Sequence, residues 1–226
     1  MKQKYLIFVL MFGLLAFSAC TSENNFISNN DETKQDSNNV IEAEDNKNEL
    51  TSGNYQVNTA ESKVIWHGYR LVGNSHTGTV DIKSGSLQIV DGAWTGGEFI
   101  IDVASLKSDD ELESLENHLK GADFFDVANY PEAKLVITNL TETEEENIYQ
   151  IDAVLTIKDI SESISFFARL NNNGDSVKAE TNFSINRTIW DLKYGSGTFF
   201  EDLGDKVIGD DIDFSINLYA NLEGNS

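Results

Sequence analysis

Cysteine and proline each occur once in the 226 residues. A single cysteine excludes an internal disulfide and a cysteine-built zinc site. Histidine occurs three times, at positions 67, 76 and 118, and no pair has metal-motif spacing such as His-Glu-x-x-His. Basic residues are also scarce: 16 Lys and Arg stand against 38 Asp and Glu, a formal net charge of −22. A chain of this sign has little with which to release counterions from a phosphate backbone, which argues against nucleic acid as a partner. Catalytic signatures are missing too. There is no Gly-x-Ser-x-Gly elbow and no Gly-x-x-x-x-Gly-Lys-Ser/Thr phosphate loop. Glu201, Asp202, Asp205, Asp210, Asp211 and Asp213 do not follow the spacing of an EF-hand and read as a solvated rim. What is plentiful is apolar surface: 40% of residues, with 13 Phe, 7 Tyr and 3 Trp, too much for a disordered chain. The expectation is a folded, acidic, non-catalytic protein without cofactor or metal.

The lone cysteine has a context. Lys2 and Lys4 precede an apolar stretch, Tyr5 to Phe17, of signal-peptide length and too short to span a bilayer comfortably. It ends in Phe17-Ser18-Ala19-Cys20, which resembles the lipobox of bacterial lipoproteins, with Phe17 where Leu is usual. The resemblance implies a lipoprotein signal over residues 1–20 that is cleaved just before Cys20, acylation of Cys20 as the first residue of the mature chain, and stable attachment to a membrane through its acyl chains. Residues 21–53 follow without hydrophobic period and rich in acids and asparagine. Such a segment buries too little to offset its ordering entropy and reads as a solvated tether. Residues 1–20 contribute +2 and residues 21–52 contribute −6 to the total of −22, leaving −18 on the remainder. Acidity therefore belongs to the folded part as well, residues 54–226.

That part alternates with a period of two. Phe99, Ile101 and Val103 interleave with polar or boundary positions, as do Ile151, Ala153, Leu155 and Ile157, then Ile164, Phe166, Ala168 and Leu170, then Phe183 and Ile185, then Ile212, Phe214, Ile216 and Leu218. This is the pattern of strands with one buried and one wet face. Further strands are expected at Lys63–Leu71, Thr77–Lys83, Ser86–Val90 and Lys134–Leu140, with turns at Gly73-Asn74, Ser84-Gly85, Asp91-Gly92 and Asn172-Asn173-Gly174. Eight to ten strands without a βα repeat predict an all-β fold, an antiparallel barrel or sandwich, and closure into a barrel would remove edges that one proline cannot guard. One segment differs. In Ser108–Lys120 the leucines at 112, 115 and 119 have helical spacing, Ser108 or Asp109 can cap the start and Gly121 the end, so a helical crossover is expected, lying against one end of the barrel. His118 is expected on its polar or boundary face.

Several separated motifs then agree in order. Asn117-His118-Leu119-Lys120-Gly121-Ala122-Asp123-Phe124-Phe125-Asp126-Val127 followed by Tyr130-Pro131 resembles the central signature of the YceI-like family. Tyr55-Gln56-Val57-Asn58 through Trp66 resembles its opening strand, with Asn58 where Asp is common. Leu155-Thr156-Ile157-Lys158-Asp159-Ile160 resembles its later strand and turn, with Asp159 in place of the usual Gly, and Arg187-Thr188, Trp190, Tyr194-Gly195-Ser196 and Val207-Ile208-Gly209-Asp210-Asp211 match its C-terminal part. The resemblance spans Tyr55 to about Ala220. It implies an extended eight-stranded antiparallel, lipocalin-like barrel that holds an amphiphilic polyisoprenoid, such as a polyprenyl phosphate or a quinone precursor, in its lumen.

Under that reading the ligand contacts fall on the inward-facing set Trp66, Phe99, Ile101, Leu135, Ile137, Leu155, Ile157, Phe166, Phe183 and Phe214, and on the aromatics Phe124, Phe125, Tyr130, Trp190, Phe199 and Phe200. Arg187 is in phase with Phe183 and Ile185, so alternation points it inward. It either meets a head group or is a strand-end Arg, paired with a neighbouring carboxylate or already past the barrel rim. The glycine-dotted stretch Tyr194–Gly209 is either a lid or a connection whose aromatics plug the core. The residues alone leave a second possibility open: a barrel filled by its own side chains, serving structure or interaction. The expected partners are an isoprenoid-type lipid, a membrane through the acyl chains, and no nucleic acid; a homodimer is allowed. The expected location is the cell envelope of a Gram-negative-type bacterium.

Overall fold

The computed structural model describes residues 51–224, so Cys20 and nearly all of the acidic segment lie outside the described residues. Nine strands are formed: β1 Gly53–Val57, β2 Lys63–Tyr69, β3 Ser75–Val90, β4 Ala93–Ser108, β5 Glu132–Glu142, β6 Ile148–Ile157, β7 Ile160–Asn172, β8 Ser176–Asn186 and β9 Asp211–Leu222. All pairings are antiparallel, each strand from β3 to β9 pairs with the next, and the sheet closes because β1 and β2 each pair with both β3 and β9. β1 and β2 are successive halves of a single rung. The result is a closed barrel of eight strand positions, the form that the family resemblance implies and one of the two, barrel or sandwich, that the alternation left open.

The break between β1 and β2 is built by Asn58. Its side-chain oxygen accepts from the backbone N–H groups of Ala60 and Glu61 at 3.2 and 3.3 Å. Beyond it Ser62 and Tyr219 restore contact with β9, the Tyr219 N–H donating to Ser62 Oγ at 2.9 Å. Only an acceptor oxygen is needed for such a turn, which is why Asn serves where Asp is common. The other departure from the family pattern is equally local. Lys158 and Asp159 form the two-residue β6–β7 loop with φ of 50° and 62°, the signs of a type I′ turn. Asp tolerates this conformation, though less readily than Gly.

The two segments expected as separate strands before and after Ser84-Gly85 are one strand. β3 runs unbroken through both residues, and its register against β4 shifts between Ile82 and Ser84. Gly85 is there for space rather than for a turn: a Cβ would stand 2.7 Å from Phe99 Cδ1 and 2.8 Å from Val57 Cγ2. Bulges of this kind bend a long strand and let it wrap around the barrel. Gly78 has the same role more severely, since a Cβ would lie 1.9 Å from the Lys107 carbonyl oxygen. The Trp66 indole lies across that spot and donates to the same carbonyl at 3.2 Å.

The helix is shorter than the leucine spacing suggests. α1 spans Glu113–Lys120, and its N-terminal flank is Leu112, without a side-chain cap. Ser108 ends β4 instead, and its N–H donates to Glu116 Oε1 at 2.9 Å. This bond, more than the nearby Lys107, holds the Glu116 carboxyl below its ordinary value. Gly121 follows the helix as expected, in extended rather than left-handed conformation.

The barrel has two unlike ends. Tyr55, Ile89, Val177 and Ala220 pack a dense apolar cluster at the end where β3–β4, β5–β6 and β7–β8 turn, with Ile151, Ala168 and Leu170 beside it. Both described chain ends leave from this end. The Tyr55 hydroxyl donates to the carbonyls of Thr51 and Gly174, the Asp91 N–H donates to Ser52 Oγ, and Glu223 N–H meets the Asn54 carbonyl at 2.8 Å. α1, the β2–β3 turn, the β6–β7 turn and the long β8–β9 connection occupy the other end.

Candidate functional site

The second end is hollow. A cavity of about 580 Å³ lies between the strand segments there, bounded by α1 and by the residues before β9. That volume falls within the range of sites for small organic ligands, roughly 300–1,000 Å³. The floor is aromatic: Phe183 stacks on Phe166 with ring centroids 4.5 Å apart and meets Phe214 at 5.6 Å. Below it begins the packed half of the barrel. The two alternatives left by the sequence, filled and hollow, thus each describe one half of the same barrel.

Ten of the residues named from the sequence line the cavity. Trp66, Ile101, Leu135, Leu155, Ile157, Phe183 and Phe214 come from the strands, Phe124 and Phe125 from the segment after α1, and Arg187 from the end of β8. The others do not line it. Phe99, a residue of the packed end, is 6% exposed, and Ile137 packs against the same cluster. Phe166 lies behind Phe183. Trp190, 1% exposed, is a structural plug whose indole N–H donates to the Leu155 carbonyl at 3.0 Å. Tyr130 is outside the wall, and Phe199 and Phe200 are half-exposed on the β8–β9 connection. Aromatic character did not distinguish these roles, because cavity wall and plug both bury rings.

The β8–β9 connection is pinned rather than free. Ile208 forms bridges with Arg70 and with Ser196, and its N–H donates to the Gly195 carbonyl at 2.8 Å. Gly195 has φ of 64°, and Gly209 passes so close to Tyr69 that a Cβ would stand 2.6 Å from the ring.

Arg187 explains that pinning. Its guanidinium, 1% exposed, donates from Nε to the Gly209 carbonyl at 2.9 Å, from Nη2 to the Ile208 carbonyl at 3.2 Å, and from Nη1 to the Leu192 carbonyl. Asp210 Oδ1 is 3.5 Å from Nη2, and the Phe124 ring centroid is 5.8 Å from Cζ. Burial pulls the guanidinium below its ordinary value and the Asp210 carboxylate acts in the opposite direction. Of the two roles considered for an inward Arg187, the structure shows the paired one: the charge holds the connection to the barrel.

Other lining residues lie outside the expected set of ligand contacts. His118 faces the cavity instead of the polar side, edge-on to Phe124 at 5.2 Å and to Tyr194 at 4.6 Å. Its position three residues after Leu115 put it on the apolar stripe of the helix, and that spacing was the available signal. Val103, Leu106, Ala133 and Ile212 complete the strand walls, while Leu112, Leu115 and Leu119 close the helix side. His76 reaches the rim, with Nδ1 2.8 Å from Asp110 Oδ2. Among the described residues no group of three or more His, Cys, Asp or Glu is placed to hold a metal ion.

A closed eight-stranded antiparallel barrel, packed at one end and opening under a helix into an apolar cavity at the other, is the lipocalin-like class of architecture. The model of the YceI-like domain matches residues 55–220, and the chain belongs to that family. Among solved structures it is similar to BcnA of Burkholderia cenocepacia, at 21% identity over 73% of this chain and 99% of that one, with a TM-score of 0.57. It is similar to a polyisoprenoid binding domain from Saccharophagus degradans implicated in plant cell wall breakdown, at 14% identity over 76% and 99% of the two chains, TM-score 0.57. The YCEI protein of Campylobacter jejuni matches at 21% identity over 64% and 84%, TM-score 0.50. At these identities the likeness is one of fold. No curated protein matches the chain.

Proposed function

We propose that this protein binds, stores or carries an amphiphilic isoprenoid-type lipid in the hollow half of its barrel, without catalysing a reaction on it. The observation that carries this reading is the apolar cavity of about 580 Å³ beneath α1. Burial is worth roughly 0.8 kcal/mol per CH₂, so each five-carbon unit contributes about 4 kcal/mol gross, and a few units offset the costs of association without strong polar contacts. The description of the Saccharophagus degradans relative as a polyisoprenoid binding domain is consistent with this choice of ligand. Cys20 is the proposed acylation site. It would fix the protein to a membrane of a Gram-negative-type cell envelope, because −18 on the folded part disfavours flat docking on anionic lipid.

The test is extraction. The chain purified without residues 1–20, then extracted with organic solvent, is expected to release a prenyl lipid detectable by mass spectrometry. Solvent-clean protein that also takes up no added polyprenol would end the carrier reading. Loss of radiolabelled palmitate incorporation on Cys20→Ala in cells checks the anchor separately.

A further inference from the structure

Exposed apolar side chains are spread unevenly over the barrel. Of the nine large ones among the described residues, all but Val90 and Phe167 lie at the hollow end. Leu71 and Val72, 66% and 59% exposed, form the tip of the β2–β3 turn, and the half-exposed Phe199 and Phe200 form a tip of the β8–β9 connection. Leu112, just before α1, and Tyr194, on that connection, are exposed while also lining the cavity. The two tips are joined through Val207, whose carbonyl accepts from the Leu71 N–H at 3.0 Å and whose side chain lies against Gly197. The N–H groups of Phe199 and Phe200 donate to the carbonyl of the fully buried Ser196 at 3.2 and 3.0 Å. The His76–Asp110 pair, 2.8 Å apart, ties the start of β3 to the approach to α1. These bonds hold the apolar tips outward around the cavity mouth, and a surface that covered them would gain their burial.

The charges around these tips limit what that surface can be. Residues 70–74, 109–131, 158–159 and 187–210, the connecting segments of this end, carry thirteen acids and six bases. A second copy brought mouth to mouth would set this excess against itself, and an anionic bilayer would meet it with charge of the same sign. A zwitterionic bilayer presents no net charge and takes apolar and aromatic side chains into its interface. The chain also has the reach. Residues 21–50, thirty in number, span up to about 100 Å when extended. β3 and β4, of 16 residues each, give the barrel a height of about 40 Å at the usual strand tilt. A chain held at Cys20 can therefore join the barrel at its packed end and still present the mouth to the same membrane.

We infer that the protein docks mouth-first on a zwitterionic bilayer through Leu71-Val72 and Phe199-Phe200, which sets the cavity opening against the lipid. The choice of a lipid surface rests on the carrier reading above, since a prenyl lipid resides in bilayers, but docking itself is measured without a ligand. The chain lacking residues 1–20, which has neither acyl chain nor cysteine, is sedimented with sucrose-loaded vesicles of phosphatidylcholine at about 0.15 M salt. It is expected to bind them, and to bind at least about threefold more weakly when phosphatidylglycerol replaces part of the phosphatidylcholine. Leu71→Ser with Val72→Ser, and Phe199→Ser with Phe200→Ser, should each lower binding at least about tenfold, whereas Phe167→Ser leaves it unchanged. A polarity-sensitive dye on Leu71→Cys should shift to the blue with vesicles, and the same dye on Val90→Cys at the packed end should not. No vesicle binding by the parent chain, an equal loss in Phe167→Ser, or a dye shift at position 90 alone overturns the inference. So does a dimer, seen by sedimentation velocity in place of vesicle binding, that the same rim substitutions dissolve. Vesicle binding by a chain that takes up no added polyprenol leaves the docking standing and ends the carrier reading; uptake of polyprenol without vesicle binding does the reverse.

Discussion

Replacing Ala133 with larger apolar residues measures whether a ligand occupies the hollow half. Ala133 lies on β5 opposite Ile101, is 8% exposed, and faces the cavity. Val adds two carbons and Phe adds six. If each added carbon displaces one CH₂ of bound lipid, at about 0.8 kcal/mol apiece, the losses are about 1.6 and about 5 kcal/mol. Affinity for a four-unit prenol should therefore fall by up to about 15-fold in Ala133→Val and by up to about three orders of magnitude in Ala133→Phe. The fold itself supplies the control. A side chain entering a void gains contacts, so the melting temperature should hold or rise. A side chain forced into a packed core costs about 1–3 kcal/mol. Titration calorimetry in detergent and thermal unfolding of the same preparations give both quantities. Affinity that ignores the size of residue 133 while the melting temperature holds would refute lipid binding in the lumen. A fall in stability would refute the void.

Arg187→Met should destabilise the protein by about 3–5 kcal/mol in urea unfolding, because it leaves Asp210 and the carbonyls of Leu192, Ile208 and Gly209 buried without their cation. Gly78→Ala should cost more than about 3 kcal/mol or prevent folding, as the Lys107 carbonyl cannot yield without breaking the β3–β4 ladder, and soluble yield with circular dichroism reads this. Asp159→Gly should stabilise by about 0.5–1 kcal/mol in the same urea assay, by relieving a left-handed non-glycine residue. Burial raises the Tyr55 hydroxyl above its ordinary value, followed by smaller opposing and reinforcing effects at Thr51 and Asp175. Its protonated form is thus favoured by folding. That stability is fully present below about pH 10 and is lost as pH rises through the raised value, so Tyr55→Phe should flatten the fall of the urea midpoint above about pH 10.

Alternation made the strands legible, since one wet and one buried face repeat with a period that sequence shows directly. Ser84-Gly85 misled because a bulge and a turn draw on the same residues. The difference lies in Phe99 and Val57, which crowd Gly85 from elsewhere in the chain. The inward direction of Arg187 could be read from its phase with Phe183 and Ile185, but its partners at 192 and 208–210 could not. Periodicity assigns a face and says nothing of what comes to meet it. The same limit applies to Trp190 and Phe124, both nearly buried, one a plug and the other cavity wall.

The two described chain ends meet at the packed end of the barrel, where Glu223 and Asn54 share a backbone hydrogen bond, while the cavity lies at the opposite end. The molecule accordingly has a handle and a working end. Anything joined to either terminus, whether a surface, a fusion partner or an affinity tag, is attached where it cannot stand in the ligand's path. Because the ends are neighbours, a short linker could join them and the chain could be reopened at the exposed β5–β6 turn, moving the handle without rebuilding the cavity.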